Sequence, residues 1–141
     1  MARILIVEDN ADLRSILEEL LGHEHEVAAA RGGEEGLELA RRFRPEVVIM
    51  DLQLPSMSGV EAGQSIKREL GEDEVSIIAL TALAQPEDEA AALDSGCCDT
   101  YMTKPASLAD IRGRVAELLE KRRLPARYDG SDDSPYAFGA G

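Results

Sequence analysis

The sequence predicts an α/β protein whose five parallel strands form one doubly wound sheet with helices on both faces. Short apolar runs alternate with segments of helical periodicity along the chain. The helical segments end at glycine or proline residues, as expected where a helix stops. The first, third and fourth apolar runs are the richest, which favours them as the central strands of a sheet with strand order 2-1-3-4-5.

Each strand is predicted from its own apolar run. The alanine-rich second run and the polar fifth run are expected at the edges of the sheet, where less apolar surface is buried. Right-handed crossovers leave few other strand orders, so the predicted arrangement is flavodoxin-like. The five predicted strands cover residues 4–7, 27–30, 47–50, 75–80 and 100–102.

The clearest helix lies between the first two strands. Asn10 is a suitable N-cap, Asp12 suits the positive end of the helix dipole, and Gly22 stands where a C-terminal stop is expected. Five apolar residues recur at the spacing of one helix face and predict a buried stripe: Leu13, Ile16, Leu17, Leu20 and Leu21.

The remaining helices are predicted from similar patterns. The second covers residues 34–43 and the third about residues 60–70. The fourth begins at Pro86, and its inward face consists of alanines and Leu93, so it is expected to be loosely held. The fifth opens with S-L-A-D at 107–110, a capping-box-like start. Its inward residues are predicted to be Leu108, Ile111, Val115, Leu118 and Leu119.

Composition limits the possible classes of protein. The 141 residues, 44% hydrophobic and 30% charged, are typical of one soluble globular domain. No apolar run suits a membrane span or a secretory signal, so a cytoplasmic location is expected. The net charge of −13 argues against direct binding to nucleic acid or to an anionic membrane. The domain is predicted over residues 1–124, and residues 125–141, rich in Gly, Pro, Ser and Asp, are predicted to be a flexible tail.

The cysteines and histidines do not indicate a site of their own. Cys97 and Cys98 are adjacent and lack a second pair, so they are expected to be small apolar residues in a reduced compartment. The H-E-H segment at 23–25 is expected to be a polar loop between the first helix and the second strand.

Polar residues follow four of the five predicted strands at the edge where doubly wound sheets bind ligands. Glu8 and Asp9 follow the first strand, Asp51 follows the third, Thr81 ends the fourth and Lys104 follows the fifth. Each residue alone has a structural explanation, such as capping a helix or lying in solvent. Together they place three carboxylates at one edge, and these repel each other unless a cation binds them.

This combination resembles the receiver domain of two-component response regulators. The resemblance covers about residues 3–122. It rests on E-D at 8 and 9, M-D-L-Q-L-P-x-M-S-G from 50 to 59, L-T-A at 80 to 82 and Y-M-T-K-P at 101 to 105. The order of these motifs and their positions at strand ends make the resemblance specific.

The resemblance implies a chemical role for each acid. Asp51 matches the residue that accepts a phosphoryl group from the phosphohistidine of a sensor kinase or phosphotransfer protein. Glu8 and Asp9 match the acidic pair that holds Mg²⁺ together with Asp51 and the backbone carbonyl of Gln53. Mg²⁺ prefers such oxygen ligands and typically combines them with phosphate oxygens.

The resemblance also implies a switch. Lys104 and Thr81 match residues that bind the phosphoryl oxygens, and Tyr101 matches an aromatic residue that turns when the threonine hydroxyl moves toward the phosphate. The surface of the fourth helix, fifth strand and fifth helix is expected to change with it. Gln53 and Leu83 occupy positions that influence how long the phosphoryl group survives, and Leu83 is expected to hinder water.

The implied function is that of a phosphoacceptor switch and not of an enzyme with steady turnover, although the domain takes part in its own phosphorylation and dephosphorylation. No effector domain is predicted after residue 124, so a single-domain receiver is expected, as a monomer or weak dimer. It would signal by protein contact or relay phosphate to another protein. A receiver cut from a hybrid kinase would have a similar sequence.

Three alternatives compete with this interpretation. A haloacid-dehalogenase-type phosphatase would need an acid where Gln53 stands, because an amide cannot act as a general acid. A dinucleotide-binding domain would need a glycine-rich loop where V-E-D-N follows the first strand. A receiver-like module that is never phosphorylated is disfavoured by the complete set of site residues and is separated from the switch by a phosphorylation assay.

Overall fold

The structure is a computed structural model that describes residues 1–123. In this range five strands and five helices alternate. The strands are β1 (Arg3–Val7), β2 (Glu26–Ala30), β3 (Val47–Met50), β4 (Ser76–Thr81) and β5 (Thr100–Thr103). The helices are α1 (Ala11–Gly22), α2 (Gly33–Phe43), α3 (Gly59–Leu70), α4 (Pro86–Ser95) and α5 (Leu108–Arg123). The predicted tail at 125–141 lies outside the described residues.

All five strands are parallel and form one sheet in the order β2-β1-β3-β4-β5, which confirms the predicted topology. The register aligns the carboxyl ends of the strands: Val7 lies opposite Met50, and Thr81 lies opposite Thr103. The residues that follow β1 and β3 are therefore neighbours. None of the helices within residues 1–123 is both long and apolar enough to cross a membrane.

The core has one half on each face of the sheet, because successive residues of a strand point to opposite faces. On one face Leu5 and Val7 of β1 pack with residues of α2, α3 and α4. On the other face Ile4 and Ile6 pack with residues of α1 and α5. Burying a side chain of this size stabilises the fold by about 1.5–3 kcal/mol. The central strands therefore form a rigid support for the residues that follow them.

Three apolar residues predicted to face inward are exposed, and these predictions were wrong. Ile16 is 46% exposed, Leu93 38% and Leu108 42%. In α1 the five-residue stripe is wider than the strip that the sheet covers, and Leu17 is fully buried at its centre. In α4 the buried residue is Ala92, and its neighbour Leu93 points about 100° away around the helix. Leu108 is the first residue of α5 and lies at the end of the packed face.

The helix ends largely follow their predicted signals. Asn10 caps α1, and its side chain accepts from the Leu13 N–H at 2.9 Å. Gly96 caps α4 with a positive φ of 80°, which suits glycine. α1 ends at Gly22, where the sequence predicts its stop, although Gly22 is the last helical residue and not the cap. The cap is His23 in a right-handed conformation, so this helix end does not use a left-handed residue.

Two glycines let α3 approach other backbone closely. A Cβ on Gly59 would lie 2.2 Å from the carbonyl oxygen of Asp51, and a Cβ on Gly63 would lie 2.3 Å from that of Cys97. Side chains cannot occupy such space. The first turn of α3 therefore packs directly against the segment that carries Asp51.

The cysteines and histidines lie where the sequence predicts them. Cys97 and Cys98 are buried free thiols. The H-E-H segment connects α1 to β2, and Nδ1 of His25 accepts from the Ala2 N–H at 3.2 Å. Glu24 forms an exposed ion pair with Arg112 of α5 at 2.9 Å. These contacts are structural and lie away from the acidic residues.

Candidate functional site

The carboxyl edge of the sheet brings the predicted acids together. Glu8 and Asp9 follow β1, and Asp51 follows β3, the strand beside it. One oxygen from each of the three carboxylates lies within 4.8 Å of the others. Only 2% of Glu8 and 6% of Asp51 are exposed, whereas Asp9 is exposed. Like charges this close and this buried need a compensating cation.

The donor set at this edge fits a hard divalent cation. Three carboxylates supply oxygen ligands, which Mg²⁺ and Ca²⁺ prefer over nitrogen or sulfur. The exposed side of the cluster leaves room for water, which Mg²⁺ usually keeps in its coordination shell. Glu8, Asp9 and Asp51 therefore suit the predicted Mg²⁺ site.

Lys104 supplies positive charge to two of the acids. Its ammonium lies 2.9 Å from Oε1 of Glu8 and 2.9 Å from Oδ2 of Asp51. Partial burial alone would lower the pKa of Lys104. The hydrogen bonds to Asp51 and Glu8 outweigh this effect and raise the pKa above its ordinary value. The ammonium thus ties the end of β5 to the ends of β1 and β3.

Asp51 is held at both carboxylate oxygens. Oδ1 accepts from the Gln53 N–H at 2.9 Å, and Oδ2 accepts from Lys104. The backbone N–H of Asp51 donates to the Val7 carbonyl at 3.1 Å, which joins the residue to the end of β1. Gln53 itself is exposed beside Asp51. Its carbonyl remains a predicted metal ligand.

Glu8 is fixed through its side chain and its backbone. Oε2 accepts from the Asn10 N–H at 3.0 Å, so the residue before α1 also holds this acid. The carbonyl oxygen of Glu8 accepts from Nη1 of Arg14 at 2.9 Å. The sequence interpretation missed Arg14. Arg14 is the one basic residue of α1, but this alone does not indicate a contact with Glu8.

Thr81 and Tyr101 both form hydrogen bonds with the backbone of Leu83. Thr81 is fully buried, and its Oγ1 accepts from the Leu83 N–H at 3.3 Å. The Tyr101 hydroxyl donates to the Leu83 carbonyl at 2.7 Å. Burial, followed by the nearby charge of Asp88, raises the pKa of Tyr101. Thr81 also accepts at its carbonyl from the Lys104 N–H at 2.8 Å, which places it beside the acidic edge.

The structure thus brings together the predicted residues Glu8, Asp9, Asp51 and Lys104. Thr81 lies at the end of the next strand, and Tyr101 contacts it through the connection that follows β4. Such a site presents a buried nucleophilic carboxylate beside a cation and a group of oxygen ligands. It is suited to the transfer of a negatively charged group.

Comparison with known proteins gives one family and several relatives. The model of the response regulator receiver domain matches residues 4–116. Histidine kinase P4 of Formosa agariphila is 33% identical over 129 residues, which cover 91% of this chain and 9% of the kinase. The DNA-binding dual master transcriptional regulator RpaA of Synechocystis is 36% identical over 129 residues, which cover 89% of this chain and 52% of RpaA. The chain thus spans about half or less of the length of these relatives.

A solved structure agrees with the family match. It is a chain from the co-crystal structure of the Saccharomyces cerevisiae phosphotransfer protein Ypd1 with the receiver domain of the response regulator Ssk1. The TM-score is 0.78 at 30% identity, and the match covers 89% of this chain and 93% of that chain. With the strand order and the acidic edge already described, the family match shows that this chain belongs to the response regulator receiver domain family.

Proposed function

We propose that Asp51 accepts a phosphoryl group from the phosphohistidine of a histidine kinase or a histidine phosphotransfer protein. The observation that carries this proposal is the position of its carboxylate. It is buried beside Lys104 and Glu8, at the edge where a parallel sheet binds ligands. The family to which the chain belongs supports the same conclusion. The proposed receiver domain covers residues 1–124.

The same edge would hold Mg²⁺ through Glu8, Asp9, Asp51 and the backbone carbonyl of Gln53. The three carboxylates lie close enough to share one ion. When bound, Mg²⁺ supplies positive charge to the phosphoryl oxygens during transfer. The protein's own contribution is to hold these acids in place and to keep the carboxylate of Asp51 oriented.

The transfer forms a bond between a carboxylate oxygen of Asp51 and phosphorus. The phosphorus–nitrogen bond of the phosphohistidine breaks, and its electron pair remains on the imidazole nitrogen. The attacking group is a carboxylate oxygen, which has no proton to lose in the step, so no general base is needed. The Lys104 ammonium lies 2.9 Å from Oδ2 of this carboxylate. Lys104 and the Thr81 hydroxyl are proposed to bind the phosphoryl oxygens as they develop charge.

The product is stored and not rapidly turned over. Gln53 stands two residues after Asp51, where a phosphatase of the haloacid-dehalogenase type has its general acid, and an amide cannot serve in that role. Leu83, a half-buried apolar residue two positions after Thr81, is proposed to limit the access of water to the acyl phosphate. The domain is therefore proposed to act as a switch that also takes part in its own dephosphorylation.

The switch is proposed to run from Thr81 to Tyr101. Phosphoryl binding would draw the Thr81 hydroxyl toward Asp51 and weaken its bond from the Leu83 N–H. The Leu83 carbonyl is the acceptor of the Tyr101 hydroxyl, so a shift of Leu83 changes the position of the ring. The output is a change in the surface formed by α4, β5 and α5, which would be recognised by a downstream protein.

The proposed partners are proteins on both sides of the reaction. The donor is a histidine kinase or phosphotransfer protein, and a similar receiver was solved together with a phosphotransfer protein. The downstream target is a protein that either binds the altered surface of α4, β5 and α5 or accepts the phosphoryl group. The net charge of −13 disfavours direct binding of this domain to nucleic acid or an anionic membrane. We propose that it acts in the cytoplasm as a monomer or weak dimer.

A phosphorylation assay tests the assignment of Asp51. Acetyl phosphate with Mg²⁺ is expected to add one phosphoryl group to the wild-type protein, detected by intact mass spectrometry. Asp51→Asn is expected to remain unlabelled because its neutral amide is a much weaker nucleophile than a carboxylate. Asp94→Asn, an exposed acid on α4, is a matched control and should be labelled like the wild type.

Two results would contradict this proposal. Labelling that persists in Asp51→Asn would mean that another residue accepts the phosphoryl group. A wild-type protein that is never labelled, with acetyl phosphate or with a phosphorylated histidine phosphotransfer protein, would instead indicate an interaction module that acts without phosphorylation. Chelation of Mg²⁺ is expected to abolish labelling of the wild-type protein, because the proposed transfer uses the metal.

A further inference from the structure

The end of β1 leaves one carbonyl group without a partner in the sheet. The Glu8 N–H donates to the Ala30 carbonyl at 3.0 Å, as the continuation of the β1–β2 ladder. In a parallel ladder the Glu8 carbonyl would next accept from residue 32. However, β2 ends at Ala30, two residues before Gly32, so the ladder does not extend to this carbonyl. The carbonyl accepts instead from Nη1 of Arg14 at 2.9 Å.

α1 brings Arg14 to this position. The helix begins directly after the Asn10 cap, and the Arg14 N–H donates to the Asn10 carbonyl at 2.9 Å in the first turn. The side chain is half-buried and reaches back to the end of β1. A guanidinium keeps its charge at all relevant pH values and is long enough to donate to a backbone group from the neighbouring turn.

We propose that Arg14 is a positioning residue for the metal-binding acids, an inference that rests on the function proposed above. Arg14 fixes the peptide group between Glu8 and Asp9 through the Glu8 carbonyl. The Glu8 side chain has two further contacts, from Asn10 and Lys104. Within residues 1–123 the exposed Asp9 carboxylate accepts no hydrogen bond. Its direction therefore depends on the peptide that Arg14 holds.

The sign of the effect on Mg²⁺ affinity separates positioning from simple electrostatics. As a nearby positive charge, Arg14 repels a divalent cation. If this repulsion were its only effect, removing Arg14 would strengthen Mg²⁺ binding. As a positioning residue it restricts Asp9 to the orientation that binds the ion, so its removal would weaken binding. Outer contacts of this type typically change metal affinity by about 10–100-fold.

The test is a titration of the unphosphorylated protein with Mg²⁺ alone, followed by the amide resonances of Glu8, Asp9 and Asp51. Arg14→Met and Arg14→Gln are each expected to raise the Mg²⁺ dissociation constant by about tenfold or more. Arg14→Lys keeps a donor on a long stem and is expected to recover much of the loss. Urea unfolding of the same variants separates a loss of metal affinity from a loss of fold.

Arg42→Met is the matched control for the change in net charge. Arg42 lies in the last turn of α2, at the opposite edge of the sheet, so its removal should change the dissociation constant by less than about twofold because the distant charge is screened. Unchanged or tighter Mg²⁺ binding in both Arg14→Met and Arg14→Gln would overturn the inference and leave the phosphoacceptor proposal intact. Absence of Mg²⁺ binding by the wild type would overturn both.

Discussion

Lys104 supplies the positive charge on which the acidic edge most depends. Its ammonium contacts the buried carboxylates of Glu8 and Asp51, which otherwise face each other with little solvent between them. A buried charge that loses its partner is strongly destabilising, whereas the intact pair contributes little net stability. The lysine is therefore the counter-ion of both buried acids.

Replacing Lys104 by glutamine is expected to lower the free energy of unfolding by roughly 1–3 kcal/mol at neutral pH in buffer without Mg²⁺. The physical reason is that Glu8 and Asp51 lose their shared cation. Addition of Mg²⁺ should recover part of this loss by binding the same carboxylates. Urea unfolding with and without Mg²⁺ measures both effects.

The pH dependence provides the control for this prediction. The pKa of Lys104 in the folded protein lies above its ordinary value of 10.5. Its contribution to stability is thus complete below the unfolded-state pKa and is lost as the pH rises through the folded-state pKa. The stability difference between wild type and Lys104→Gln should shrink in this alkaline range. A difference that stays constant there would contradict the proposed ion pairs.

The sequence predicted most residues of the site because each stands at the end of a strand. Asp51 and Thr81 could be placed at one edge from strand order alone, since parallel strands share the direction of their carboxyl ends. Arg14 could not be placed in this way. Its contact depends on how far a long side chain reaches from α1 and on a carbonyl that β2 leaves unpaired. Neither property appears in hydrophobic periodicity.

At the scale of elements, α3 buries more residues than α4 and packs more closely. α3 packs closely, with Gly63 against the Cys97 carbonyl and the Gln64 amide donating to the Ser95 carbonyl at 3.0 Å. Ala92 is the buried residue of α4, as expected of its alanine-rich face. The C-terminal end of α4 is therefore anchored on α3, while the rest of the helix buries little side-chain area.

Gly63→Ala is expected to destabilise the protein by about 1–3 kcal/mol, because the added Cβ would lie 2.3 Å from a backbone oxygen. Gly113→Ala is the matched control. Gly113 lies on the exposed side of α5 with no atom within 4 Å of the added Cβ, so the same substitution should stabilise the helix by about 0.5–1 kcal/mol. Thermal unfolding of both variants tests the pair. Equal effects would mean that the close approach of α3 is unimportant.

Element boundaries were predicted closely, but the exposure of single residues was not. Periodicity placed α1 correctly and still assigned Ile16 to the core, since a helical stripe does not show how wide a strip the sheet covers. The close approach at Gly63 was also invisible in the sequence. A glycine within a helical pattern is only a weak signal until its neighbour is known.

At the scale of the whole molecule, one series of contacts joins the acidic edge to the α4–β5–α5 surface. Lys104 joins the end of β5 to Asp51, and its N–H donates to the Thr81 carbonyl. The Leu83 peptide then connects the Thr81 hydroxyl to the Tyr101 hydroxyl. The sequence predicted that Thr81 and Tyr101 act together, but Leu83 emerged as their link only from hydrogen-bond geometry. Such a series is evidence of contact, and coupling needs its own measurement.

Beryllium fluoride with Mg²⁺ mimics a phosphoryl group on Asp51 and permits that measurement. In the wild type, amide resonances of Thr81, Tyr101 and α4 are expected to shift, because the Thr81 hydroxyl turns toward the bound group and moves Leu83. Tyr101→Phe keeps the ring and removes the hydroxyl bond to Leu83. It should retain the shift at Thr81 and reduce the shifts in α4. Asp51→Asn serves as the control, because it replaces the carboxylate that would bind beryllium fluoride by a neutral amide. Wild-type shifts confined to the Asp51 segment, or α4 shifts that are equal in Tyr101→Phe, would show that the signal does not pass through Tyr101.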